Sequence, residues 1–205
     1  MSPTRLSLLR HAEVETRYHR TFGGRIDMEL SPEGHRQAEA LAGYLRRMQF
    51  DAIYASPMKR AQLTLAPILE GRNATPVIVD DLREVHFGDW TGLTWQEVHD
   101  KYQVSAFQWL DMMEAAAVPG GECSQTFRAR VEPVVKEILT RHQGQSVAVV
   151  CHGGVIRMIL SILLNLPLSK TAHFEIEYAS LTEVLVTPDR VILELMNLTP
   201  WRDLP

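Results

Sequence analysis

Short apolar runs alternate with amphipathic stretches along this chain. Arg5-Leu6-Ser7-Leu8-Leu9 is too short for a helix and stops at charged residues, as a buried parallel strand does. Asp51-Ala52-Ile53-Tyr54-Ala55, Pro76-Val77-Ile78-Val79 and Ser146 to Cys151 read the same way. Ser31-Pro32-Glu33 offers an N-cap, a proline for the first helical position and an acid for the first turn. Ala38, Leu41, Ala42, Leu45 and Met48 then follow at helical spacing. Ser56-Pro57 repeats the cap-and-proline signal, which puts Arg60 in the first turn of a second helix that Pro67 ends or kinks. Thr94 to Tyr102 predicts a short helix, residues 106–117 a further helical stretch, and Pro119-Gly120-Gly121 a break. Ser124 caps a helix with Phe127, Val131, Val134, Val135, Ile138 and Leu139 on one face, and Gly144 terminates it.

Val155 to Leu164 is almost wholly apolar, but its length suits a buried helix rather than a membrane span. Leu181 to Val186 and Val191 to Leu198 flank Thr187-Pro188-Asp189-Arg190 as an antiparallel hairpin at the sheet edge. Val14 to Met28 has no period, contains Gly23-Gly24, and reads as a loop over the C-terminal edge of the sheet. The alternation predicts an α/β fold: a three-layer sandwich with a mostly parallel sheet flanked by helices and an antiparallel C-terminal edge hairpin.

Composition narrows the partners. At 205 residues, 45% of them apolar and 22% charged, the chain is expected to form one domain over residues 1–205 with a substantial core. Its formal charge is −4 and no basic stripe dominates any segment, which argues against a nucleic-acid partner. No apolar run is long enough to span a bilayer, and the N-terminus lacks the basic-then-apolar plan of a signal peptide, so a cytoplasmic protein without a membrane partner is expected. A second copy of the chain is the one macromolecular partner left open. Cys123 and Cys151 have neither metal spacing nor a disulfide framework and read as buried, inert thiols.

The candidate chemistry lies at the strand ends, where open α/β sheets place their ligands. Two parallel strands run directly into a histidine, at Leu9-Arg10-His11 and Cys151-His152-Gly153. A third feeds the helix that bears Arg60, and a fourth leads to the loop carrying Glu84. Two imidazoles, two guanidiniums and a carboxylate on one edge suit phosphoryl chemistry, because arginine binds phosphate oxygens bidentately and keeps its charge. Helix N-termini after Ser56 and Gly154 add backbone N–H groups. No histidine pair has the H-x-x-x-H spacing of a helical metal site, so a histidine-ligated metalloenzyme is a weak alternative.

Taken in order, these pieces resemble the histidine phosphatase superfamily, also called phosphoglycerate mutase-like, over most of the chain to about Val186. The matching stretches are Leu9 to Glu13, Gly24 to Asp27 with Leu30 to Gly34, and Ser56 to Ala61. Leu82-Arg83-Glu84 with Phe87 to Trp90, and Cys151 to Gly154, complete the set. Residues 22–27 read with 84–90 are similar to the α-ribazole phosphatase branch.

The resemblance implies a phosphomonoester hydrolase acting on a small soluble phosphate ester, such as a sugar phosphate, a nucleotide or α-ribazole phosphate, with no cofactor and no metal. His11 would take the phosphoryl group on an imidazole nitrogen, its other N–H held by a backbone carbonyl. Arg10, Arg60 and His152 would clamp the phosphoryl oxygens, with His152 expected to be protonated opposite a dianion. Glu84 would act as general acid and then as base. Gly23, Gly24 and Gly153 would lie against the substrate.

A phosphoglycerate mutase is the alternative within the family, although the stretch between Glu84 and His152 is short for one. A non-enzymatic binder of phosphorylated ligands would be expected to lack a core residue, and His11, Arg60, Glu84 and His152 are all present.

Two positions depart from the family pattern. Ala12 stands where glycine is usual, which matters only if that backbone needs positive φ. Arg17 stands where many relatives carry an asparagine, and it either adds a phosphate donor or turns outward toward an anionic substrate. Tyr18, His19, Arg20, Phe22 and Arg25 read as substrate-selecting or as solvated loop. Trp90 and Trp109 read as pocket wall or core, and Glu122 as pocket rim or not. Glu13 is expected to hold loop backbone, and His35, His99, His142 and His173 to be ordinary surface or helix residues.

Overall fold

The computed structural model describes residues 2–105 and 108–204. Its centre is a six-stranded sheet of β1 (Thr4–Arg10), β2 (Ala52–Ala55), β3 (Val77–Ile78), β4 (Ser146–Cys151), β5 (Leu181–Val186) and β6 (Val191–Leu198), in the order β3-β2-β4-β1-β5-β6. β1, β2, β3 and β4 run parallel, whereas β5 pairs antiparallel with both β1 and β6. The two strands nearest the middle, β1 and β4, are buried along nearly their whole length, since both their faces are covered.

Alternation along those strands feeds two cores. Leu6, Leu8, Val147 and Val149 pack with Phe127 and Val131 of α5 (Ser124–Arg141) and with Val155, Ile156 and Ile159 of α6 (Gly153–Leu163). Leu9, Ala148 and Val150 face the other way, toward Leu41 and Leu45 of α1 (Pro32–Leu45) and Leu65 and Ile68 of α2 (Lys59–Leu69). The result is the expected three-layer α/β sandwich with an antiparallel C-terminal hairpin. Among the described residues no helix is long and apolar enough to cross a membrane.

The helix signals hold in part. Ser31 accepts from Gly34 N at 2.9 Å with Pro32 at the first position, as expected. A capping box of Thr94 and Glu97 opens α3 (Trp95–Tyr102). The expected stretch 106–117 yields α4 (Trp109–Glu114), and its first two residues lie outside the described residues. A short α7 (Pro200–Asp203) follows β6.

Three expectations need correction. Ser56 does not cap α2: the helix begins at Lys59 after an extended Met58, and the Ser56 hydroxyl faces His152. Pro67 does not end α2, which runs on to Leu69 with the proline in its last turn. The 76–79 strand shrinks to Val77–Ile78, an exposed edge whose chain then winds into a 3-10 turn at Asp80–Leu82. In addition, Cys123 rather than Ser124 occupies the cap of α5 and is only half-buried, so the buried-thiol reading holds for Cys151 alone. Burial raises the Cys151 thiol pKa, whereas hydrogen bonds from Thr126 lower that of Cys123.

Candidate active site

Arg10 and Cys151 are register partners at the ends of β1 and β4, so His11 and His152 leave the sheet side by side. Their ring centroids are 5.1 Å apart, and both residues are buried. His11 Nδ1 lies 2.8 Å from the Ala12 carbonyl, which can only accept, so Nδ1 carries the proton and Nε2 presents a lone pair. Arg60 Nε donates to that Nε2 at 3.2 Å. Ala12 is outside the left-handed region and its N–H donates to Thr64 Oγ1 at 2.9 Å, so alanine is unstrained there.

Burial, reinforced by the charges of Arg60 and Arg10, holds the His11 imidazole well below the usual histidine range. Burial also depresses His152, with Arg60, His11 and Arg10 adding to it. The protein's own surroundings therefore favour neutral His152 before a dianion is bound. His152 Nε2 sits 2.8 Å from Ser56 Oγ, and its Nδ1 is buried without a partner.

A stability consequence follows from linkage. Unfolded, each imidazole titrates near 6.5; folded, each is held well below that. Below that pH the unfolded chain binds more protons, so this stabilisation is complete above it and lost as pH falls toward the folded values. Thermal melts should show Tm dropping between about pH 7 and 5, and His11→Gln should flatten the drop. Parallel Tm–pH curves for the two proteins would refute the assignment.

The cations converge on the same floor. Arg60 is 3% exposed in the first turn of α2, and donates to the carbonyls of Ile26 at 2.8 Å and Gly24 at 2.9 Å. Gly24 needs its φ of +46° to present that carbonyl, a conformation glycine adopts without cost. Burial lowers Arg60 to about 10, with Glu84 and Tyr178 opposing, so it stays charged at neutral pH. Arg10 donates through Nη1 to Ile176 O at 2.6 Å and lies 4.1 Å from the Tyr178 ring centroid, while its Nε is buried without a partner. Among the described residues, Arg10 Nε and His152 Nδ1 are buried without a hydrogen-bond partner, on the two residues that flank His11 in chain and in space, an arrangement suited to receiving an oxyanion.

Glu84 faces this floor from the loop after β3. Its carboxylate accepts from Val85 N at 3.0 Å and from Gly154 N at 3.1 Å, at the N-terminus of α6. A Cβ on Gly154 would stand 2.4 Å from Glu84 Oε1, so only glycine lets the carboxylate dock there. The floor opens into a cleft of about 440 Å³ lined by Arg10, His11, Arg60, Glu84, Gly153 and both Gly23 and Gly24. His152, fully buried, stands behind that lining beside His11. A larger hollow of about 720 Å³ at the opposite end of the sheet is lined by residues such as Thr4, Gly144 and Thr187 and has no ionisable side chain. Among the described residues no group of three or more His, Cys, Asp or Glu could hold a metal ion.

Arg17 is not brought to the cluster. It is 68% exposed, pairs with Glu15 at 3.0 Å and lies over Tyr18, because the 3-10 turn Thr16–Tyr18 directs it outward. Tyr18, Phe22 and Trp109 line the cleft, whereas Trp90 is wholly buried core. The Glu13 carboxylate accepts from the Ser31 hydroxyl at 2.6 Å, a side chain rather than the loop backbone expected. Glu122 faces Arg130 and the Glu84 loop, away from the cleft lining.

Sequence reasoning missed Arg157, Tyr178 and Arg130. Arg157 lines the cleft and donates to Phe174 O at 2.9 Å; burial first, then Arg10, lowers it to about 10. A lone charge in the apolar α6 was the available signal. Tyr178, which packs on both His11 and Arg10, carried none.

Comparison with known proteins places this geometry. The family model described as histidine phosphatase superfamily (branch 1) matches residues 6–199. Phosphoserine phosphatase 1 of Hydrogenobacter thermophilus is 33% identical over 95% of this chain and 92% of its own length. Adenosylcobalamin/alpha-ribazole phosphatase of Salmonella typhimurium is 28% identical over 94% of this chain and 96% of its own. Among solved structures, a mycobacterial glucosyl-3-phosphoglycerate phosphatase superposes with a TM-score of 0.83 at 28% identity, covering 95% of this chain and 99% of that one.

Proposed function

The chain belongs to branch 1 of the histidine phosphatase superfamily, and from that membership we propose that it hydrolyses small phosphate esters through a phosphohistidine at His11. The observation that carries this is the fixed tautomer of His11: Nδ1–H is held by the Ala12 carbonyl and the Nε2 lone pair stands on the cleft floor against Arg60. In the first step Nε2 attacks phosphorus and the P–O bond to the leaving group breaks. That oxygen takes the Glu84 proton, and the alcohol departs. In the second, Glu84 takes a proton from water as its oxygen attacks phosphorus. The P–N bond breaks, returning neutral His11 and releasing inorganic phosphate.

Arg10 and Arg60 neutralise the charge that builds on the phosphoryl oxygens. We assign Ser56 Oγ, 2.8 Å from His152 Nε2, as the donor of that bond, which puts the ring's N–H on Nδ1, the buried atom without a protein partner, for the same oxygens. Two arginines doing this work leave no role for a metal ion. EDTA is therefore expected to leave kcat/KM unchanged, and a loss that added Mg²⁺ restores would overturn the metal-free reading.

The leaving group would extend past Glu84 into the cleft lined by Tyr18, Phe87, Trp109 and Arg157. That cleft accommodates a ring or a chain with an anionic end, in keeping with a sugar phosphate, a nucleotide, α-ribazole phosphate or phosphoserine. Phosphate release measured across such esters, ranked by kcat/KM, tests the proposal. Transfer of the phosphoryl group between phosphoglycerates without release would point to a mutase instead.

A further inference from the structure

Glu84 lies between β3 and α3, in a segment with only single 3-10 turns to hold its shape. Besides the fully buried Leu82 and Val85 and the Glu122 N–H donated to the His86 carbonyl at 2.8 Å, its backbone is held by an ion pair from elsewhere in the chain. Arg130, on α5, donates through Nη1 to the carbonyls of Asp81 at 2.6 Å and Arg83 at 2.7 Å, and through Nη2 to that of Glu84 at 3.2 Å. The remaining donors go to Glu122, at 2.6 Å from Nε and 2.9 Å from Nη2. Glu122 in turn accepts from His86 N at 2.9 Å. One guanidinium–carboxylate pair thus grips the chain just before and just after Glu84, and both side chains are only 13% exposed.

We propose that Arg130, acting with Glu122, is the positioning residue that holds the Glu84 carboxylate at the N-terminus of α6 for proton transfer. The inference rests on Glu84 being the proton donor of the proposed reaction. Three carbonyls in a loop without a ladder need a donor, and a planar fork with five N–H groups meets them where a point charge cannot. A backbone released at 81–86 lets the carboxylate drift from Gly154 N, and a shift of about 1 Å can cost on the order of 10²-fold in rate.

Arg130→Lys separates the two roles of this residue, since lysine keeps the charge beside Glu122 but cannot fork across three carbonyls. In the full-length protein, kcat/KM for an alkyl phosphate is expected to fall about 10²-fold, and that for p-nitrophenyl phosphate by less than about 10-fold, because nitrophenolate leaves without a proton. Placed on Glu84→Gln, the same change should give no further loss on the alkyl ester. Equal losses on both esters, no loss on either, or additive losses in the double variant would overturn the proposal. Should Arg130→Lys fail to melt cooperatively, Glu122→Gln, which keeps an acceptor for His86 N, carries the same test with the same outcomes. Glu84→Gln alone identifies the other failure: if it harms both esters equally, the acid role falls and the positioning role with it.

Discussion

Replacing His11 with alanine is expected to remove turnover, by on the order of 10⁶-fold in kcat, the scale on which loss of a covalent nucleophile acts. The ring is the one group on the cleft floor with an unshared nitrogen lone pair, and the protein keeps that lone pair unprotonated by burial and by two nearby arginines. No neighbour can substitute: His152 stands behind the lining, and Arg10 and Arg60 are donors only. The clean readout is a phosphoenzyme that survives base and is lost in acid, trapped by rapid mixing of the wild type with substrate and missing in the variant. Near-normal turnover by a folded variant would sink the mechanism.

Glu84→Gln should show the next largest effect, about 10²–10⁴-fold on alkyl phosphates. Its signature is selectivity. An alkoxide needs a proton to depart, whereas p-nitrophenolate does not, so the nitrophenyl ester should lose far less in the first step. The amide also places an NH₂ group against one of two backbone donors, Val85 N or Gly154 N, so part of the loss reflects displacement of the side chain. A uniform loss across leaving groups would leave Glu84 as a structural anchor only.

The strands that carry the histidines were legible because an apolar run ended by a charged or histidine residue has few other readings in an α/β chain. The Ser31 cap and the C-terminal hairpin were legible for equally local reasons. Ser56 was misread because a hydroxyl before Pro-x-x looks the same whether it caps a helix or faces a histidine distant in sequence. Arg17 and Arg130 show the matching limit for charges. The first lies a few positions after His11 in sequence and points away from it. The second lies far from Glu84 in sequence and holds its loop. Backbone carbonyls leave no mark in the sequence, so the partners of Arg10, Arg60, Arg130 and Arg157, mostly carbonyls, had no pattern to betray them.

β1 and β4 pair over six register positions, and each is flanked on its other side by a further strand. Amides in such strands exchange with solvent mainly when the whole sheet opens, not by local fraying. His11 and His152 are the residues that immediately follow these two strands, and His11 N still donates to Cys151 O at 2.9 Å. The reactive nitrogen and its neighbours therefore share the lifetime of the folded core. Loss of the two histidines' geometry is therefore expected to coincide with the cooperative melt, whereas the Glu84 loop, outside the sheet, can loosen earlier.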